Sequence, residues 1–332
     1  MAAKKPARRK ATKQTATLRR SRLVFLLAVV AVVVFGPPLG RAVFGWGTYE
    51  EYLPNHGSPI VVGDGLALNV RERGSGPPVV LVHGLPSNAT DWSRTPDLLA
   101  ARGFRAIAYD RVGYGYSSRV EVGNGNYTVA SNASELLGLL DALGLEKAIL
   151  VGWSYGGGVV QAVAEQAPNR VAGLVLLSSV GPSFQSDDDS MSGLMRSPLA
   201  APLLSWIAAV PPLSKVLVWD GLRVAFATED EIPDGWLPYT QAMMALPGTL
   251  DSYIAEFRRL DASSSDPSQL KTPTLIVHGA ADRSVSLSVA KDLEQRIAGS
   301  KLVVFGDAGH MIPVTRSERL AEEIARFAEG KF

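Results

Sequence analysis

From about residue 58 onward, apolar positions fall into short runs separated by stretches with helical spacing. The segment "PIVVGDGLALNVRERG" (59–74) predicts two strands joined at Gly63-Asp64-Gly65, because a D-G pair between apolar runs suits a tight hairpin. The runs "PVVLVHG" (78–84), "RAIAYDR" (105–111), "AILVGWS" (148–154) and "VAGLVLLSS" (171–179) are short and continuously apolar. They predict strands buried on both faces of a parallel sheet. Between them, 128–144 places apolar residues at helical spacing before a glycine stop, and 155–168 runs from glycines to a proline, so both predict helices.

The alternation stops after Val180. Residues 182–268 hold no convincing strand, several proline breaks, three of the six tryptophans (Trp206, Trp219, Trp236) and four of the six methionines (Met191, Met195, Met243, Met244). It resumes with a strand at 273–282, a helix near 287–297, a strand at 301–310 and a closing helix near 316–329. The pattern predicts one α/β domain with a mostly parallel, doubly wound sheet. Its two segments, 58–181 and 269–332, flank a helical insertion over 182–268.

The N-terminus departs from this pattern. Residues 1–22 carry nine basic side chains and no acid, which leaves 24 basic against 32 acidic residues downstream, a net of −8. Basic character therefore belongs to the tail, and with an acidic remainder no nucleic-acid partner is expected. The next 18 residues, 23–40, carry no charge, and Leu23 to Phe35 are continuously apolar. That length fits either an uncleaved signal anchor or a signal peptide. Positions 36–45 offer no clear A-x-A pattern and Arg41 stands where small residues would be wanted, which favours the anchor. The expectation is a basic cytoplasmic tail (1–22), a single transmembrane helix (23–40), a linker (41–57) and an extracytoplasmic catalytic domain, or a secreted one if the segment is cleaved. The absence of cysteine excludes a disulfide, a thiolate metal site and a cysteine nucleophile.

The candidate chemistry centres on "VGWSYGGG" (151–158). A G-x-S-x-G pattern alone is weak in a chain with 32 glycines. Here it falls where a predicted strand meets a predicted helix. A nucleophile elbow needs small residues there, because side chains at 152 or 156 would collide with the neighbouring helix and strand. Serine also needs a base and a group to orient that base. Of four histidines, His56 lies in the linker, His83 and His278 end predicted strands, and His310 follows the last strand in "GDAGHMIP". His310 shares the carboxyl edge of the sheet with Ser154 and is the expected base. Asp282, at the end of the penultimate strand, is the expected acid, with Asp187, Asp188 and Asp189 as rivals. Asp307 lies nearer His310 in sequence, but three residues along one loop rarely present a carboxylate to the far side of the ring.

From about residue 58 the chain resembles the α/β-hydrolase superfamily, in the lidded group that includes esterases, lipases, C–C bond hydrolases and cofactor-free haloperoxidases. Four motifs carry the resemblance in order: "HGLPS" (83–87), "DRVGYGYSS" (110–118), "GWSYGG" (152–157), and "GAAD" with "GH" (279–282, 309–310). The resemblance implies an oxyanion hole built from the N–H groups of Leu85 and Tyr155, and a structural role for His83. It makes 182–268 a lid. Epoxide hydrolases and haloalkane dehalogenases of this superfamily carry an aspartate at the elbow, so Ser154 sets both activities aside. Trp153, where many relatives have histidine, has no role that the sequence names.

The expected protein is a serine-dependent hydrolase of a small apolar ester, with Ser154, Asp282 and His310 as the triad and no metal or organic cofactor. C–C bond hydrolysis, perhydrolase chemistry on the same fold, and an inert hydrolase fold used for binding are the alternatives.

Overall fold

The computed structural model describes residues 57–331 apart from 64, 124, 183–196, 199 and 261–265, together with isolated positions 24, 31, 35, 36, 39 and 52. Most of the expected span over 23–40 lies outside these residues, as do the linker's His56 and the rival acids Asp187 to Asp189. Among the described residues no single helix is long and apolar enough to cross a membrane.

The strands are β1 (Ser58–Val62), β2 (Leu66–Arg73), β3 (Pro78–Val82), β4 (Arg105–Tyr109), β5 (Ala148–Trp153), β6 (Val171–Leu177), β7 (Thr274–Gly279) and β8 (Lys301–Phe305). Among the described residues they form one sheet in the order β1-β2-β4-β3-β5-β6-β7-β8. The β1–β2 hairpin pairs antiparallel, as does β2 with β4, and every other pairing is parallel.

The central runs are continuously apolar because each strand feeds two cores. Val80, Val82, Ile107, Leu150, Leu174 and Ile276 face one side, where Leu136 and Leu140 of α2 (Val129–Ala142), Val160 and Val163 of α3 (Tyr155–Gln166) and Leu293 of α8 (Leu287–Arg296) cover them. The alternate positions Val79, Leu81, Ala108, Val151, Val175 and Val277 face the other side. There they meet Leu99 of α1 (Thr95–Ala100) and Leu320 and Ile324 of α10 (Ser317–Ala328). Burying such side chains is worth about 1.5–3 kcal/mol each, so a period-two run apolar on both faces can sit only inside this sandwich.

Thr128 starts α2 with a reciprocal capping box to Ser131, and Pro168 stops the extension of α3, which ends at Gln166 rather than 168. The predicted strands are also too long. Ladder pairing stops at Val82, Tyr109, Trp153 and Leu177, and the residues beyond turn into loops. Helix α1 has only six residues, and the sequence pattern does not signal it.

The insertion is helical where described: α4 (Ala200–Ala208), α5 (Pro211–Ala225), α6 (Trp236–Ala245) and α7 (Thr249–Arg259). Ala200, Leu204 and Ala208 of α4 pack against Leu250 and Ile254 of α7. A short helix α9 (Ile312–Thr315) leads into α10.

Candidate active site

Between the end of β5 at Trp153 and the start of α3 at Tyr155, Ser154 alone makes the turn. Its backbone sits at φ 56° and ψ −120°, a left-handed conformation that costs a non-glycine residue about 1–3 kcal/mol. Hydrogen bonds hold it there. Its N–H donates to Leu177 O at 2.9 Å, and its carbonyl accepts from Gly157 N–H at 2.9 Å and Val180 N–H at 3.1 Å. The two glycines meet the expected collisions: a Cβ on Gly152 would strike the Gly156 carbonyl and Val160 of α3, and a Cβ on Gly156 would strike the Val82 carbonyl of β3.

His310 follows β8 at the same edge of the sheet. Its ring Nδ1 lies 2.8 Å from Asp282 Oδ2. A carboxylate only accepts, so Nδ1 carries the proton and Nε2 is left with its lone pair. Asp282 Oδ1 accepts from the N–H groups of Ser284 and Val285, both at 2.9 Å. Burial alone would push this carboxyl up. The His310 ring beside it, the hydrogen bond between them and the Val285 N–H outweigh that and hold it below the usual carboxylate range. The rival Asp307 is exposed and engaged with Arg316 at 3.1 Å. Among the described residues the Ser154 hydroxyl makes no hydrogen bond to the His310 ring, and such bonds commonly tighten only when substrate is bound.

The loop after β3 passes directly over the serine: a Cβ built on Gly84 would lie 3.0 Å from Ser154 Cβ. Leu85, whose N–H the resemblance assigns to the oxyanion hole, is the next residue of that loop. Tyr155 is the first residue of α3, so its N–H has no intrahelical acceptor. Neither N–H has a hydrogen-bond acceptor among the described residues. Two free donors next to a serine at a helix N-terminus can stabilise a developing oxyanion.

His83 is tied into the turn. Its Nδ1–H donates to Gly84 O and its Nε2 accepts from the Arg111 N–H, each at 2.9 Å. Burial, then the charge of Arg111, hold its pKa well below the ordinary histidine value, so it stays a neutral brace.

These motifs, in this order on this sheet, match a known family. A family model for the alpha/beta hydrolase fold covers residues 77–317. The chain belongs to the α/β-hydrolase fold family. The hydrolase is similar to a 2-hydroxy-6-oxo-2,4-heptadienoate hydrolase of Pseudomonas putida, 34% identical over 270 residues that span 78% of this chain and 91% of the relative. A non-heme chloroperoxidase of Streptomyces lividans is 30% identical over 282 residues, spanning 82% and 99% of the two chains. The crystal structure of the meta-cleavage product hydrolase CumD from Pseudomonas fluorescens IP01 superposes with a TM-score of 0.69 at 28% identity, covering 83% of this chain and 98% of that one.

Three features of the hydrolase have no signal in the sequence. Trp153 donates its indole Nε1–H to the His310 carbonyl at 3.1 Å, and the two rings lie 5.5 Å apart. The end of lid helix α5 also grips the same residue, because Ala225 O accepts from the His310 N–H at 2.8 Å. His278 lies 3.6 Å from Asp282 Oδ2. Its Nε2 is 2.9 Å from the Val285 carbonyl and must carry the proton, and burial holds the ring's pKa down. His278 therefore packs beside the acid without competing for His310.

The helical insertion of the hydrolase is pinned to the core by two buried polar clusters. Arg111 donates to Glu256 of α7 and to Asn132, and it also donates to the carbonyls of His83 and Gly84. Neither Arg111 nor Glu256 reaches solvent. In the second cluster Tyr239 of α6 donates to Asp91, which also accepts from Ser87 at 2.6 Å, while Asn88 donates to Tyr239. Of the tryptophans in the insertion, Trp236 meets Phe226 edge-on and Tyr239 at a tilt, and Trp219 is partly buried against the core.

Proposed function

We propose that this chain is a serine hydrolase of small apolar carboxylic esters that works through an acyl-enzyme. The observation that carries the reading is the Asp282–His310 pair, which leaves Nε2 free at the sheet edge where Ser154 emerges. His310 Nε2 takes the Ser154 proton as the hydroxyl oxygen attacks the acyl carbonyl. The N–H groups of Leu85 and Tyr155 receive the oxyanion. The alcohol leaves with the proton from His310, and water activated by the same ring then attacks the acyl-enzyme and releases the acid. Asp282 fixes the tautomer and stabilises the imidazolium. No metal or organic cofactor enters these steps.

A second reading, C–C bond hydrolysis, is favoured by the 34% identity with the dienoate hydrolase. The state of Arg111 tips the balance toward a neutral ester. Its guanidinium lies against the oxyanion turn, donating to the carbonyls of His83 and Gly84, and it also donates to Asn132 and Glu256. Four of its five N–H groups are taken there and the side chain has no exposed surface, which disfavours its pairing with the carboxylate of a dienoate. Parallel assays on p-nitrophenyl esters of graded chain length and on a 2-hydroxy-6-oxo-dienoate separate the two. The ester reading predicts the higher kcat/KM on an ester, and a preference for the dienoate overturns it.

The same proposal places the chain at a membrane as a single-pass protein. Residues 23–40 act as an uncleaved signal anchor, the basic tail stays cytoplasmic, and the catalytic domain faces away from the cytoplasm.

A further inference from the structure

The lid's outer surface carries apolar side chains that no described residue covers. Leu203 on α4, and Leu213 and Val216 on α5, are 45%, 45% and 64% exposed. The inner faces of both helices are already used. Leu204 and Ala208 pack on α7, and Leu222 joins the core beneath the lid. From 197 to 214 the chain carries no charge over 18 residues, a run as long as the N-terminal one. Helices α4 and α5 together are apolar enough to pass for a span, yet they meet at 105°. A bent pair seated on a protein core by one face, with an apolar opposite face, suits a membrane interface rather than a crossing.

A second observation brings part of the N-terminal run to the same helix. A Cβ on Gly36 would run into the indole ring of Trp206 on α4, so Gly36 itself lies against that helix. Beside Gly36, Phe35 and Leu39 are 67% and 62% exposed. The charge pattern agrees. The first charge after the neutral run is the exposed cation Lys215, between Leu213 and Val216, while Asp220 and Arg223 come only on the later turns of α5.

We propose that the outer face of α4 and α5 rests on a lipid bilayer, with Leu203, Leu213 and Val216 in the boundary between headgroups and acyl chains and Lys215 among the phosphates. The inference rests on the anchoring of the chain through 23–40, which would hold the lid at the bilayer surface. The docked helix is also the one whose last carbonyl, Ala225 O, holds the His310 N–H. Contact with lipid would therefore bear on the element that fixes the base.

The chain has no cysteine, so single cysteines can be labelled without background. Full-length protein would be reconstituted in phosphatidylcholine–phosphatidylglycerol vesicles, with an environment-sensitive dye at Val216→Cys or Leu213→Cys. Val61→Cys on β1 and Val304→Cys on β8, both exposed, serve as controls. Hydrolysis of a short water-soluble ester at the parental rate shows that each labelled chain is folded, and Leu203→Cys replaces any that fails.

The protein is expected to float with the vesicles. Dye at 213 or 216 should shift to the blue and lose about half or more of its emission to lipids carrying a quencher high on the acyl chain, as for a face sunk about 5–10 Å into the boundary. Dye at 61 and 304 should do neither. Flotation without selective quenching overturns the lid contact and leaves the anchor standing. Failure to float overturns both. Protection of the dye from the quencher, together with a disulfide formed between chains of unlabelled Val216→Cys protein under an added oxidant, assigns the face to a second copy and overturns the proposal as well.

Discussion

The indole Nε1–H of Trp153 donates to the backbone carbonyl of His310 at 3.1 Å, so the residue just before the proposed nucleophile braces the proposed base. Trp153→Phe keeps most of the ring and removes the donor. A neutral hydrogen bond is worth about 0.5–1.5 kcal/mol, so kcat on the best ester should fall by about three- to tenfold with KM little changed. A rise in KM at constant kcat, measured by steady-state kinetics, would show that the indole shapes the substrate pocket instead. Trp153→Ala also opens a cavity between the rings and should cost about 3–5 kcal/mol of stability.

Arg111 and Glu256 form an ion pair with no exposed surface, one partner in the core and the other on lid helix α7. Breaking such a pair from one side leaves a buried charge without compensation. Glu256→Gln should therefore lower stability by about 3–5 kcal/mol in urea unfolding, nearly independent of salt. The double change Arg111→Met with Glu256→Leu should recover a large part of that loss. An unchanged midpoint in Glu256→Gln would show that the pair does not hold the lid.

Asp91 gives the fold a pH dependence with a definite sign. Burial pushes its carboxyl up to about 6, against the pull of hydrogen bonds from Ser87 and Tyr239. The folded state then binds more protons than the unfolded state between about pH 4 and pH 6, so stability falls as pH rises through that window. Asp282 is shifted the other way, and its contribution is lost only as pH falls below the ordinary carboxylate range. Asp91→Asn should therefore gain about 1–3 kcal/mol relative to wild type between pH 4 and pH 7. Parallel urea titrations at the two pH values measure it, and a constant difference removes Asp91 as the cause.

Trp236 lies between Phe226, at the end of α5, and Tyr239 of α6. If the lid sets substrate size, Trp236→Ala should change the ratio of kcat/KM between short and long acyl esters more than it changes Tm. Equal losses on all esters that track a lower Tm would make this tryptophan packing only.

Much of this was legible in the chain because the central strands are buried on both faces, which writes them as short apolar runs without alternation. The predicted strand ends overshot for a functional reason. His83-Gly84, Asp110-Arg111, Ser154 and Ser178-Ser179 lie just past the last paired residues, where the chain leaves the ladder to build the site. Ser154, Asp282 and His310 could be proposed in advance as candidates because each lies within three residues of a glycine near the end of a predicted strand. The Trp153 and Ala225 bonds to His310 could not. They join residues 157 and 85 positions apart, and no local pattern encodes such contacts. The Arg111–Glu256 pair is equally silent, since one partner sits in a quoted motif and the other in an ordinary amphipathic helix.

Covalent trapping at Ser154 tests the central claim most directly. The full-length protein would be incubated with a fluorophosphonate probe and digested, and the labelled peptide sequenced by mass spectrometry. In parallel, Ser154→Ala would be assayed on the best ester. The account predicts one adduct, on Ser154, and a fall in kcat of about 10⁴-fold or more in Ser154→Ala with the fold intact. His310→Ala should do comparable damage and add little to the serine change, because the two act as one unit. Asp282→Asn should cost about 10⁴-fold, since an amide favours the wrong tautomer. An adduct on another residue, or Ser154→Ala with full activity on its best ester, would contradict the account.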